Sequence, residues 1–159
     1  MTEFEATGLV GTVSVAGSIS GYFPIKYFKF RTVLITGYII MCISMFLMAI
    51  LAWIEQFVGF LIFMMIWMYV YQCTLGTVSW LYPSEVLVDA ANGIAVLTLN
   101  LMILLTSTTT QYIVESPIQA HGLFLIYGFV LLASLIISIK YMKETKGISK
   151  KAKKEIYIP

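Results

Sequence analysis

The sequence predicts an all-α membrane protein with five transmembrane helices. Of its 159 residues, 60% are hydrophobic and 11% are charged, and the mean hydropathy is +0.91, whereas soluble domains carry about 25% charged residues. Asp, Glu, Lys and Arg divide the chain into five charge-free stretches, which are residues 6–25, 32–54, 56–84, 90–114 and 116–139. Each stretch is long enough to cross a bilayer, since a spanning helix needs about 20 residues. Their apolar runs lack the alternating polarity of barrel strands.

The positions of the charges predict the topology. All ten basic residues lie in two stretches, 26–31 and 140–154, and five spans place both stretches on one side of the membrane. Basic residues stay on the cytoplasmic side, so we expect an extracytoplasmic N-terminus and a cytoplasmic C-terminus. The charges do not identify the membrane, for which the plasma membrane is our expectation. The predicted parts are an outer segment 1–5, a transmembrane domain 6–142 and a basic tail 143–159. The spans within that domain are expected at about 6–25, 32–54, 57–81, 90–113 and 121–141.

The first two spans differ in the surroundings they suggest. The first is rich in small residues, with Gly17 and Gly21 four residues apart, which is typical of a helix that approaches its neighbours closely. A glycine-rich re-entrant segment is the alternative. The second span is apolar nearly all round and ends at Trp53, so we expect it to face lipid.

The third span has one polar face. At about 100° per residue its members are Met68, Gln72, Gly76, Ser79 and Pro83. An amide in hydrocarbon needs a hydrogen-bond partner, so Gln72 should point into the protein or into a wet cavity. Trp80 lies within one turn, and an aromatic ring beside an amide suits a sugar, which has apolar faces and hydroxyl edges. Polar contacts between helices explain the same pattern equally well.

The fourth span repeats the polar face with Gly93, Asn100, Leu104, Ser107 and Gln111. The five stretches that cross the membrane offer no charged side chain to an ion, so a neutral, hydrogen-bonding solute fits better. The 18 charged residues, with a net charge of +2, offer no basic face for a nucleic acid. With a single histidine, His121, and no metal-ligand cluster or nucleotide loop, we expect no enzyme activity and no cofactor.

Two motifs resemble those of the sugar porter family of the major facilitator superfamily. "LGTVSWLYPSEV" contains Gly76, Trp80 and Glu85 at the spacing of the family's tenth-helix signature, and "KETKG" at 143–147 is similar to its motif after the last helix. The resemblance implies a partial major facilitator fold, in which the five spans are helices 8 to 12 of a twelve-helix transporter. It also implies a missing N-terminal half as partner, and alternating access of two halves around a sugar.

The family's site residues carry over only in part. Gln72 and Gly76 resemble positions near the sugar, and Trp80 resembles a tryptophan that lines the inward cavity. Asn100 lies one turn before the family's asparagine, whose position is held by Ile103. Together with Ser107 these residues form the predicted sugar-binding set.

The cytoplasmic charges suggest a gate. The family's arginines are replaced here by "KYFKFR" and Asn92, so we hypothesise that Glu85 pairs with Lys26 or Arg31 when the inner gate is closed. Glu144 is assigned to the same charge network. A solvated loop glutamate is the alternative, contributing about 0 to 1 kcal/mol.

The leading interpretation is therefore the C-terminal part of a porter for a neutral, hexose-type sugar. Two alternatives stay open. One is a porter-derived membrane protein with an interaction or regulatory role and no transport, and the other is a porter for a polyol such as inositol.

Overall fold

The computed structural model describes residues 3–86, 89–115 and 119–142. Apolar stretches that lack charge fold into helices here because a helix satisfies every backbone hydrogen bond within itself. The helices are α1 (Glu3–Ser20), α2 (Tyr22–Tyr27), α3 (Phe30–Trp53), α4 (Phe57–Tyr71), a π-helical segment (Gln72–Gly76), α5 (Thr77–Val86), α6 (Asp89–Glu115) and α7 (Gln119–Tyr141). The predicted outer segment 1–5 lies partly, and the basic tail 143–159 wholly, outside the described residues.

Five helical stretches are long and apolar enough to cross a membrane. They are Thr7–Tyr27, Phe30–Trp53, Phe57–Leu81, Ala91–Val114 and Ala120–Tyr141. The prediction of an all-α protein with five transmembrane helices is confirmed, and the chain is an integral multi-pass membrane protein.

Helix α3 is the central element of the bundle, packed between α4 and α7. One face of it contributes Val33, Leu34 and Met41 to a buried cluster that Leu75 and Val78 complete from the third span. The expectation that this span faces lipid nearly all round is therefore wrong for this buried face, and it stays a prediction for the exposed one. Apolar composition cannot separate the two surroundings, because lipid tails are as apolar as a protein core.

Helix α1 packs against the third span through its glycines. Gly17 and Gly21 are buried, and a Cβ on Gly17 would lie 3.0 Å from the backbone oxygen of Tyr69. The first span is interrupted at Gly21, between α1 and α2, where Pro24 has no N–H to donate to the Ser20 carbonyl. The rest of α1 is mostly exposed, so it lies at one edge of the described bundle.

Helix α6 lies at the other edge. None of the residues in its most apolar window is buried. The Thr110 hydroxyl and the Tyr127 hydroxyl form a 2.6 Å hydrogen bond that joins α6 to α7. One side of α6 is thus attached to the bundle, while most of its surface remains uncovered by the described residues.

Candidate functional site

The third span is interrupted by the π-helical segment, which begins at Gln72 and ends at Gly76. In a π-helix each backbone hydrogen bond joins residues five apart, instead of the four of an α-helix, so the turn is wider. Such turns occur often at functional sites. The Thr77 hydroxyl donates to the Gln72 carbonyl oxygen over 2.9 Å, and the Thr74 hydroxyl donates to the Val70 carbonyl oxygen over 2.6 Å. These side-chain bonds satisfy carbonyl groups in and before the widened turn.

The Gln72 amide is held in place from two sides. Its Nε2 donates to the Ser14 Oγ of α1 over 2.8 Å. A Cβ added to Gly76 would lie only 2.9 Å from Gln72 Oε1, so the glycine leaves the space that the amide oxygen occupies. The structure therefore brings together two of the predicted site residues, Gln72 and Gly76.

Ser14 is a site residue that sequence reasoning missed. It lies on the small-residue helix α1, three residues before the buried Gly17, and the packing of α1 against the third span brings it to Gln72. The available signal was its position: a hydroxyl near the glycines through which α1 contacts the third span.

Trp80 lies further along the third span, in α5, and is 54% exposed. With Ser79, Pro83 and Asn92 it lines a cavity of about 60 Å³ between α5 and α6. One water molecule needs about 10–15 Å³ of such a cavity volume, so the cavity can hold a few waters and is too small for a sugar. About half of the Trp80 side chain lies outside this cavity and is exposed.

Asn100 and Ser107 lie on the exposed surface of α6. The Asn100 Nδ2 donates to the Val96 carbonyl oxygen of its own helix over 2.8 Å, so the amide is turned along α6. Both residues lie on an exposed face of α6 and take no part in the contact between Gln72 and Ser14. Their assignment to a sugar site stays a prediction.

Two of the predicted gate residues, Lys26 and Arg31, lie at the end of the bundle where α2 meets α3. Lys26 is exposed, with its Nζ 5.7 Å from the ring centroid of Tyr22. Arg31 donates from Nη2 to the Ile139 carbonyl oxygen over 2.8 Å, which ties the start of α3 to the last turn of α7. Glu85 lies in α5, but its side chain is outside the described part of the chain, and so is Glu144; their pairing stays a hypothesis.

The chemistry offered by this site is neutral hydrogen bonding. The Gln72 amide and the Ser14 hydroxyl supply it, and the Trp80 indole lies further along the third span. Within the residues described, no group of three or more His, Cys, Asp or Glu side chains could hold a metal ion.

The chain is similar in sequence to a known transporter. The glucose transporter GlcP of Staphylococcus epidermidis is 27% identical over 148 residues, which cover 88% of this chain and 33% of that protein. The chain thus spans about a third of the length of this curated relative. No solved structure matches the chain.

The family comparison covers nearly the whole chain. Residues 1–157 match the family described as Sugar (and other) transporter, which is a family of transporters rather than enzymes. The match agrees with the five apolar helices and with the tenth-helix and "KETKG" motifs. The chain belongs to the sugar transporter family of the major facilitator superfamily.

Proposed function

We propose that this chain is part of a transporter that carries a neutral, hexose-type sugar by alternating access. One observation carries the proposal: a half-buried amide, Gln72, is fixed by Ser14 and by the space over Gly76, at a π-helical turn inside an apolar span. A fixed amide with further hydrogen-bonding capacity is suited to a sugar hydroxyl, since a glutamine amide offers two donors and an acceptor. The similarity to a glucose transporter supports the hexose class.

The transporter is proposed to include a second helical bundle that covers α6. The exposed surface of this helix carries Asn100 and Ser107, and polar side chains within a membrane normally face protein or a water-filled cavity. A second bundle opposite α6 would enclose such a cavity, and rocking of the two bundles would open it to each side in turn. We place the basic ends of α2 and α7 in the cytoplasm, following the charge distribution.

Solute uptake by the assembled transporter tests this function. We expect saturable uptake of radiolabelled glucose that unlabelled hexoses inhibit and inositol does not. Preferential inhibition by inositol would support the polyol porter instead. A chain that is stably inserted as an 18 kDa protein and gives no uptake in any assembly would contradict transport and favour the regulatory alternative.

The gate hypothesis is a separate proposal about the same transporter. If Glu85 pairs with Lys26 or Arg31 in the closed inner gate, Glu85→Gln should shift the transporter toward its inward-open state. We expect a measurable change in uptake rate, and a similar change for the double substitution Lys26→Gln with Arg31→Gln. Uptake unaffected by either substitution would contradict the latch.

A further inference from the structure

A groove lies between the first and second spans, at the end of the bundle that carries the basic residues. Its volume is about 260 Å³, and it is lined by Pro24, Phe28, Thr32, Val33, Thr36 and Thr74. The lining includes three threonines, yet two of their hydroxyls are used within their own helices. Thr36 Oγ1 donates to the Thr32 carbonyl oxygen over 2.9 Å, and Thr74 Oγ1 donates to the Val70 carbonyl oxygen over 2.6 Å. The groove therefore offers an apolar surface with little hydrogen bonding.

The groove opens onto an apolar face of α3. Thr32 and Thr36 are exposed, and the same helix continues with exposed isoleucines at Ile39, Ile40, Ile43 and Ile50. This face is opposite in character to the polar stripe of α6, so it is the one suited to contact lipid rather than a hydrated cavity. The groove is accordingly an indentation in an exposed apolar surface, which we expect to contact lipid.

Basic residues lie close in sequence to the residues that line the groove. Lys29 immediately precedes α3 and is exposed, one residue after the groove residue Phe28. Lys26 is exposed on α2, with its Nζ 5.7 Å and 5.8 Å from the ring centroids of Tyr22 and Tyr27. No acidic residue occurs between Glu5 and Glu55. The charge of this segment thus complements an anionic headgroup.

We propose that the groove binds one anionic phospholipid of the leaflet at this end of the bundle. An acyl chain lies against Thr32, Val33 and Thr36, and the phosphate lies beside Lys29, with Lys26 adding positive potential. Basic residues close to a membrane surface attract anionic lipid, and the apolar groove holds the lipid at one defined place. The proposal depends on the bilayer and not on the identity of the transported solute.

Photo-crosslinking tests this site directly. The full chain is reconstituted in phosphatidylcholine vesicles that contain a trace of phosphatidylglycerol with a diazirine in its acyl chain, and labelled peptides are mapped by mass spectrometry. The matched probe is phosphatidylcholine with the same diazirine. We expect the phosphatidylglycerol probe to label the segment 28–36 in preference to the other probe.

Substitutions at Lys29 distinguish a defined site from general surface charge. Lys29→Gln should lower phosphatidylglycerol labelling of this segment about fivefold, the effect expected for one basic residue near the surface. Lys29→Arg should preserve it, and Lys140→Gln, on the last turn of α7, should leave it unchanged. Thr36→Trp, which fills the groove, should lower labelling by both probes.

Three results would overturn the proposal. They are equal labelling by the two probes, an effect of Lys140→Gln as large as that of Lys29→Gln, and labelling spread evenly along α3 as far as Ile50. If Thr36→Trp does not fold, the comparison of Lys29→Gln, Lys29→Arg and Lys140→Gln still decides the outcome, because Lys29 and Lys140 are both exposed.

Discussion

Replacing Gln72 with methionine is expected to weaken sugar binding by the assembled transporter by at least about fivefold. Methionine is similar in size and flexibility but has no amide, so the substitution removes the hydrogen bonds while filling the same space. A sugar hydroxyl left without its partner in the closed site costs about 1–3 kcal/mol, which corresponds to a loss of affinity of roughly 5- to 150-fold. The measurement is equilibrium binding of radiolabelled glucose to the purified transporter, with the KM for uptake as a second readout.

Two further variants test whether the geometry around Gln72 matters. Ser14→Ala removes the oxygen that accepts the Gln72 Nε2 hydrogen bond, and Gly76→Ala places a Cβ 2.9 Å from Gln72 Oε1. Both should weaken binding in the same direction as Gln72→Met. Ser18→Ala is the matched control, because the exposed Ser18 hydroxyl donates to the Ser14 carbonyl oxygen within α1. Unchanged affinity in a folded Gln72→Met protein would remove Gln72 from the site.

The helix count could be predicted from sequence because charge is excluded from the hydrocarbon core. The cost of burying a charged side chain there confines Lys26, Glu55, Glu85 and Glu115 to the ends of helices or the connections between them. The charge-free stretches between these residues therefore predict the number and approximate positions of the transmembrane helices. The same reasoning identified Gln72 as a residue that needs a partner, since an amide in hydrocarbon must be satisfied.

The partner itself could not be predicted from the third span alone. Ser14 reaches Gln72 because α1 approaches through Gly17 and Gly21, and that contact belongs to the tertiary structure. The π-helical segment has a second consequence. Residue spacing at 100° per residue assumes an unbroken α-helix, and the extra residue in the widened turn rotates Trp80 relative to Met68. Faces drawn across residues 72–76 from periodicity are therefore offset from the actual ones.

The burial of α3 shows a similar limit. Its apolar composition suggested lipid, yet Met41 is completely buried and Ile43, two residues later, is 55% exposed. Within a membrane both environments favour the same side chains. Small residues were the better signal, because Gly37 lies on the buried face.

Replacing Gly37 of α3 with alanine or valine should destabilise the bundle more than the same substitution at Gly93 of α6. A Cβ at this position would lie 2.7 Å from Thr74 Cβ and 3.1 Å from Thr74 Cγ2, and would also meet Thr74 Oγ1. Contacts of this kind require the π-helical segment and α3 to move apart. Overpacking of a buried contact costs about 1–3 kcal/mol, and valine should reach or exceed the upper end of that range. The measurement is the free energy of unfolding by SDS in bicelles.

The control and the compensating substitution make the interpretation specific. A Cβ on Gly93 of α6 meets no atom within 4 Å, so Gly93→Ala should change stability by less than about 0.5 kcal/mol. Thr74→Gly removes all three atoms that a Cβ on Gly37 would meet, and it carries its own cost in backbone entropy. The double variant Gly37→Ala with Thr74→Gly should therefore be more stable than the sum of the single effects predicts, with a coupling energy of at least about 0.5 kcal/mol. Additive effects would mean that α3 does not meet the π-helical segment through Gly37 and Thr74.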